Sequence, residues 1–131
     1  MTSETKPRIG SIMWRDLTVE NAEEIRDFYT QVVGWTATPH DMGEYNDFDI
    51  HPPESDEIVA GICHARGENA RIPPAWLMYI VVADVEKSAQ RCTELGGQII
   101  DGPRLMGGYA FCVIRDPAGA VAALISQEAV G

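Results

Sequence analysis

The sequence repeats its own pattern, and this duplication constrains the fold more than any other feature. A strand-like run ends at Val19, a helix signal opens at Asn21, and Gly34 precedes further strands. The same three signals recur 63 residues later, at Val82, Asp84 and Gly97. A repeated unit of this size has an apolar face that it cannot bury alone. The 131-residue chain is therefore predicted to build two copies of one module.

The first module is predicted to contain a strand, a helix and three more strands. Its strand predictions cover residues 9–19, 35–39, 45–51 and 58–64. Asn21 and Glu24 have the spacing of a capping box at the start of the helix, and Gly34 is expected to end it in the left-handed conformation. Apolar residues at helical spacing predict one apolar face on this helix: Ala22, Ile25, Phe28, Tyr29, Val32 and Val33.

The second module follows the same order. Its strand predictions cover residues 76–82, 98–101, 109–115 and 121–126. Asp84 is expected to cap the helix, and the stretch from Asp116 to Gly119 predicts a hairpin turn. The predicted fold class is α+β, a single domain over residues 1–131. Two βαβββ modules, about 8–65 and 76–127, are joined by a linker at 66–75, and their sheets together form a cup.

Charge limits the partners that this chain can have. The formal net charge is −10, and residues 1–65 hold 13 acids against 4 bases. Such a field repels nucleic acid and anionic membranes, so neither is expected as a partner. It favours a cationic ligand only where the acids line a cavity; the alternative is a solvated acidic surface.

The remaining composition indicates an ordinary reducing compartment. No apolar run approaches the roughly 20 residues of a membrane span. The first eight residues lack the apolar stretch of a signal peptide, so a cytoplasmic protein is expected. Cys63, Cys92 and Cys112 are odd in number and lack C-x-x-C spacing, which favours buried free thiols. A nucleophilic cysteine is the alternative, and no cysteine-histidine signature supports it.

Two local motifs and their order resemble a known superfamily. The segment Phe28-Tyr29-x-x-x-Val33-Gly34-Trp35 follows the first helix, and Asp116-Pro117-x-Gly119 precedes the last strand. Together with the duplication, they resemble the vicinal oxygen chelate superfamily over roughly residues 8–127. That group includes glyoxalase I, extradiol dioxygenases, fosfomycin-resistance enzymes, methylmalonyl-CoA epimerase and bleomycin-resistance proteins. The resemblance implies a fold and leaves the substrate open.

The resemblance also implies where a metal would be held. In catalytic members, inward-facing side chains on the first and last strand of each module bind a divalent ion. Matched by spacing, those four positions here are Trp14, Gly61, Leu77 and Ala123. Divalent metals need imidazole, carboxylate or thiolate donors, which these four residues lack. We therefore expect no metal site and no cofactor.

Asp16 is the strongest remaining candidate for a functional residue. Strand alternation places it on the inward face with Trp14 and Thr18. Its carboxylate could act as a general base or as the counter-charge of a cation, while the structural alternative is an ion pair or a hydrogen bond between modules. The full set of predicted ligand-binding residues is Trp14, Asp16, Gly61, Leu77, Tyr79 and Ala123. An equal alternative is that Trp14, Leu77 and Tyr79 fill the core.

The histidines are predicted to play no central part. His40 is placed in a loop, and His51 and His64 end strands, so all three are expected to be partly exposed. His64 and its neighbour Cys63 should point to opposite faces of their strand and so should not bind one ion.

Two functions from different classes remain open. The first is a glyoxalase/bleomycin-resistance-like protein that binds a small organic molecule, a cation being one option, in a metal-free cup. The second is a lyase, isomerase or dioxygenase that uses a relocated metal or acid–base chemistry at Asp16. In either case a homodimer is expected, because superfamily modules commonly pair across chains and exposed sheet edges gain by being covered.

Overall fold

The computed structural model describes residues 7–127, which fall into two compact units. The first unit comprises residues 14–76, and the second comprises the described residues before and after that stretch. The segment before residue 14 joins the second unit through backbone hydrogen bonds. Gly10 N donates to Val81 O at 2.7 Å, and Val81 N donates to Ser11 O at 2.9 Å.

The first unit is a four-stranded sheet with one long helix. Its elements are β1 (Ile12–Val19), α1 (Ala22–Val33), β2 (Thr36–Asp41), β3 (Asn46–His51) and β4 (Ala60–His64), followed by a 3₁₀ turn (Gly67–Asn69). The strand order is β2-β3-β4-β1. Strands β1 and β4 are parallel, and the other two pairings are antiparallel.

The second unit repeats this plan. Its elements are β5 (Trp76–Val81), α2 (Val85–Glu94), β6 (Gln98–Met106), β7 (Tyr109–Arg115) and β8 (Val121–Ser126). The strand order is β5-β8-β7-β6, with β5 and β8 parallel and the other pairings antiparallel. The predicted α+β class and the two βαβββ modules are confirmed.

The duplication holds at the level of single residues. In the first unit Asp16 lies opposite Gly61, and in the second Tyr79 lies opposite Ala123. Members of the two pairs are 63 and 62 residues apart in the sequence. Each residue of one sheet can therefore be compared directly with a counterpart in the other.

Each helix packs on one face of its own sheet. In the first unit the buried residues of this layer are Ala22, Phe48, Ile50, Ala60 and Ile62. In the second unit they are Val85, Ala89, Ala110, Cys112 and Leu124. Because successive strand residues point to opposite faces, the residues between these core positions lie on the face away from the helix.

The helix ends follow the sequence signals in part. Asp84 caps α2, accepting hydrogen bonds from Glu86 N at 3.0 Å and Lys87 N at 3.2 Å. Gly34 ends α1 with φ of +85°, as predicted. The capping box at Asn21 does not form, because its side-chain amide donates to the Glu24 carboxylate at 3.1 Å instead of accepting from the backbone.

The apolar face predicted for α1 is wider than the face that the structure buries. Phe28, Val32 and Val33 are 53%, 63% and 47% exposed, and only Ala22 in this helix is buried. At about 100° per residue, Phe28 and Val32 lie roughly 80–120° around the helix from Ala22, beyond the strip that meets the sheet. The sequence pattern therefore predicted a wider contact than one sheet face can provide.

Some strand limits also differ from prediction. Strand β1 begins at Ile12 rather than Ile9, and β6 continues to Met106 instead of ending at Asp101. The pair Gly102-Pro103 is typical of a strand end. In the structure the strand continues, because the pairing of β6 with β7 shifts register between Asp101 and Arg104, as at a β-bulge. No helix among residues 7–127 is long and apolar enough to cross a membrane.

The two equivalent helix starts allow a stability prediction. Replacing Asp84 by alanine removes two bonds to backbone N–H groups, so the free energy of unfolding should fall by about 1 kcal/mol. Asn21→Ala is the matched control, since Asn21 accepts no backbone bond, and should cost only a few tenths. Urea unfolding of both variants checks this, and equal losses would contradict the assignment of the caps.

Candidate ligand-binding face of the first unit

The sheet face away from α1 carries a row of acidic residues in the first unit. Phe48 and Ile50 pack toward the helix, so Asp49 between them points to the other side. Strand pairing aligns Asp49 with Gly61 on β4 and Gly61 with Asp16 on β1. We call the surface formed by Trp14, Asp16, Asp49, Gly61 and Cys63 the acidic face.

Gly61 gives the acidic face its shape. A Cβ placed on Gly61 would lie 3.4 Å from Asp16 Cβ and 3.6 Å from Trp14 Cζ2. The half-buried indole of Trp14 therefore lies beside the glycine and the carboxylate, in space that a larger side chain would occupy. The result is an aromatic ring next to a negative charge.

The pKa of the Cys63 thiol is raised by its burial and by the acids around it. Burial raises the pKa of Cys63 far above its ordinary value, and the negative charges of Asp16, Asp47 and Asp49 and a hydrogen bond with Asp47 raise it further. Three carboxylates therefore converge on one thiol. Cys63 remains protonated near neutral pH and is a poor nucleophile. The three cysteines are free, as predicted, but only Cys112 is fully buried, whereas Cys63 and Cys92 are partly buried. Burial raises the pKa of Cys112 to about 12.

The two carboxylates of the row differ in access to solvent. Asp16 is 8% exposed, whereas the Asp49 side chain is 27% exposed. Asp49 Oδ2 also lies 3.4 Å from His40 Nδ1, at the edge of the same face. Asp49 is therefore the accessible acid and Asp16 the buried one.

The equivalent row in the second unit is apolar. Tyr79 lies opposite Ala123, which in turn lies opposite Val113. Tyr79 stacks on Phe111 with ring centroids 5.7 Å apart, and the Arg104 guanidinium lies 5.0 Å from the centre of the Phe111 ring. Arg104 Nη2 donates in turn to Asp101 Oδ2 at 2.8 Å. This row is filled by side-chain packing.

The six predicted ligand-binding residues thus form two groups of three. Trp14, Asp16 and Gly61 lie together on the acidic face of the first unit. Leu77, Tyr79 and Ala123 lie together in the second unit, where all three are buried. Sequence reasoning missed Asp49, although Asp47 and Asp49 alternate in the predicted strand. Their position beside Asp16 depends on the pairing of strands that are distant in the sequence.

The histidines differ from prediction. His40 lies within β2 rather than in a loop, and His51 and His64 are buried rather than partly exposed. Both ring nitrogens of the buried His51 have partners: one faces the Thr38 hydroxyl at 2.9 Å and the other faces the Glu57 carbonyl at 3.0 Å. Buried imidazoles need such partners for both nitrogens.

His64 sits between two carboxylates. Its Nδ1 lies 3.2 Å from Asp47 Oδ1, and its Nε2 lies 3.1 Å from Glu23 Oε1 on α1. The hydrogen bond with His64 lowers the pKa of Glu23. His64 therefore links α1 to β3, and its partner Asp47 also forms a hydrogen bond with the Cys63 thiol.

The positions that would hold a divalent ion in related enzymes do not suit one. Trp14 and Gly61 in the first unit, and Leu77 and Ala123 in the second, offer no imidazole, carboxylate or thiolate. Among residues 7–127, no three or more His, Cys, Asp or Glu side chains are grouped so that they could hold a metal ion. The donor set therefore does not fit the implied metal.

The charge cluster around Cys63 predicts a change in thiol reactivity. Asp49→Asn removes one of the charges that raise the Cys63 pKa, so alkylation of Cys63 at fixed pH should accelerate about 3–10-fold. Rates are measured by peptide mapping after iodoacetamide treatment. Asp56→Asn, an exposed acid outside this cluster, is the control. An unchanged rate in Asp49→Asn would show that the carboxylate does not act on the thiol.

Known proteins match this chain at the level of family and fold. The family model of the Glyoxalase/Bleomycin resistance protein/Dioxygenase superfamily matches residues 8–124. The anthracycline biosynthesis protein DnrV of Streptomyces peucetius is 27% identical, across 88% of this chain and 46% of that protein. The putative glyoxylase CFP32 of Mycobacterium tuberculosis is 26% identical, across 86% of this chain and 42% of that protein.

The same comparisons show how much of each relative this chain covers and to which family it belongs. The chain spans about half the length of the curated relatives it matches. A solved structure of Streptomyces coelicolor methylmalonyl-CoA epimerase, in complex with 2-nitronate-propionyl-CoA, is 16% identical with a TM-score of 0.51. It covers 93% of this chain and 100% of that one, which shows a shared fold. Because the family model extends over most of the sequence, the chain belongs to the glyoxalase/bleomycin resistance protein/dioxygenase superfamily.

Proposed function

We propose that this chain binds a small organic cation on its acidic face, without a metal and without catalysing a reaction. The observation that carries the proposal is the row of Asp16, Gly61 and Asp49 beside the ring of Trp14. A carboxylate pair supplies the counter-charge for an ammonium group. The indole supplies an apolar and cation-attracting surface for the rest of the molecule.

The energetic cost of the acidic row supports a role in binding. A buried carboxylate such as Asp16 loses hydration, and charges on neighbouring strands repel each other. The equivalent row of the second unit has Tyr79 and Val113 in place of the two acids, so the fold itself does not need them. A cationic ligand would offset both the desolvation and the repulsion.

The names of the matched proteins suggest the size of ligand to test first. The family name includes bleomycin-resistance proteins, and one relative is named for anthracycline biosynthesis. Both names refer to organic natural products that are larger than a metabolite such as a simple amine. Bleomycin, an anthracycline and a small aromatic quaternary ammonium ion are therefore suitable first probes.

We infer that the protein holds no stoichiometric metal, since the donor set at the implied ligand positions does not fit one. Elemental analysis of protein purified without a histidine tag should find far less than one equivalent of zinc, nickel, iron or manganese. Dialysis against a chelator should leave the melting temperature unchanged. One tightly held equivalent, lost with a fall in melting temperature, would overturn this part of the proposal.

Charge removal on the acidic face tests the proposal directly. Asp49→Asn and Asp16→Asn should each weaken binding of the aromatic quaternary ammonium ion about tenfold, measured by calorimetry. A neutral isostere of the same shape should bind the variants and the unmodified protein equally. Asp56→Asn, at an exposed acid that is not among the charges acting on Cys63, serves as the control.

The same variants separate a binding role of Asp16 from a structural one. If Asp16 serves the ligand, Asp16→Asn should leave the melting temperature nearly unchanged. If Asp16 instead holds a buried partner, its replacement should cost about 3–5 kcal/mol in unfolding free energy and leave affinity intact. The second result would remove Asp16 from the binding site while leaving Asp49 testable.

We also propose that the chain forms a homodimer. It spans about half the length of DnrV and CFP32, so those chains have room for a second domain of this size. Exposed apolar side chains on α1 support association, because monomeric surfaces rarely expose large contiguous apolar patches.

A further inference from the structure

Helix α1 has apolar side chains at positions where α2 has polar ones. Ile25 and Phe28 of α1 correspond, 63 residues later, to Ser88 and Arg91 of α2. Both helices cover one face of an equivalent four-stranded sheet. Since α2 does this with serine and arginine, packing within the module does not require apolar residues there.

Of these two residues, Phe28 reaches the surface. Phe28 is 53% exposed, and Val32, one turn away on the same side of the helix, is 63% exposed. The position of Val32 is apolar in the second unit too, where its counterpart Leu95 is 65% exposed. Phe28 lines a groove of about 290 Å³ within the first unit. Apolar side chains line it, including Leu17, Val19, Ile25, Phe28, Tyr29 and Trp76.

The polar atoms of the groove satisfy each other. Trp76 Nε1 donates to the Tyr29 hydroxyl at 3.0 Å, and the two rings meet edge to face with centroids 5.4 Å apart. Trp35 contacts the same pair, with ring centroids 5.7 Å from Tyr29 and 5.8 Å from Trp76. The groove therefore has a rigid aromatic wall whose two polar groups are already paired.

We infer that the α1 patch, formed by Phe28, Val32 and this groove, is the contact between two copies of the chain. The inference rests on the homodimer proposed above and adds its surface. A two-fold contact brings the same patch from both copies together, so one patch must supply both a projection and a recess. Val32 and the exposed part of Phe28 are the projection, and the groove that Phe28 helps to line is the recess.

The charge distribution along α1 favours a second copy in an antiparallel arrangement. The first turn of the helix has two acids, Glu23 and Glu24, while the last turn has no basic residue and ends in Val32 and Val33. Arg26 pairs with Asp27 at 2.9 Å, which neutralises the middle of the helix. Antiparallel helices would place each acidic end opposite an uncharged end, so two chains of net charge −10 can meet at this patch.

Two substitutions on α1 and one at the end of α2 test the surface. Phe28→Arg introduces the residue that α2 carries at the equivalent position, so the module is expected to fold. Val32→Glu charges the centre of the proposed contact. The matched control is Leu95→Glu, because Leu95, which directly follows α2, is the counterpart of Val32 and is 65% exposed against 63%.

Sedimentation and light scattering at micromolar concentration give the readout. The unmodified chain and Leu95→Glu should have the mass of two copies, and Phe28→Arg and Val32→Glu that of one. The apparent dissociation constant of the variants should rise at least tenfold. Circular dichroism and the affinity for the quaternary ammonium probe should be unchanged in folded monomers, since the acidic face lies on the other side of the sheet.

The possible failures are distinguishable. A monomeric unmodified chain would overturn both the homodimer and its surface, and would leave the groove to a different partner or ligand. A dimer that survives both α1 substitutions would overturn the surface alone. A dimer that Leu95→Glu also disrupts would show that the contact is not specific to α1. None of these results bears on ligand binding at the acidic face, which calorimetry tests separately.

Discussion

The arrangement of each unit depends on one constraint: a single helix can cover only one face of a four-stranded sheet. The core between helix and sheet must then be apolar in both units, and it is, from Phe48 and Ile62 in the first to Cys112 and Leu124 in the second. The other face is not specified by this packing. Its chemistry can differ between two copies of one backbone, and the parallel pairing of first and last strands keeps equivalent positions in the same place.

The two units differ in the residues on the face away from the helix. The central row of the second unit is Tyr79, Ala123 and Val113, which pack as a core, whereas that of the first is Asp16, Gly61 and Asp49. The sequence predicts the imbalance in outline, with 13 acids and 4 bases in residues 1–65. The structure adds that three of those acids act on one thiol, where they add to the rise in the Cys63 pKa that burial causes.

Local periodicity predicted much of this fold and only part of its candidate site. The cap at Asp84, the end of α1 at Gly34 and the shared face of Trp14 and Asp16 all follow from neighbours within a few residues, and the duplication follows from the recurrence of such local signals 63 residues later. The alignment of Asp49 with Asp16 could not be predicted in that way, because register between strands is a property of distant segments. The burial of His64 has the same origin, since its partners Glu23 and Asp47 are 41 and 17 residues away.

The duplication also separates what the fold needs from what it merely permits. A residue that differs in kind between equivalent positions is not required for the shared backbone, and its cost needs another reason. Asp16 and Asp49 are such residues on one side of the first sheet, where Asp16 is buried. Phe28 is another on the other side, where an aromatic ring is 53% exposed while its counterpart is Arg91. A buried charge and an exposed apolar ring are opposite departures from stability, and the two proposals assign each a different partner: a cation for the acids and an apolar surface for the ring. The first unit therefore has both of the candidate contact surfaces.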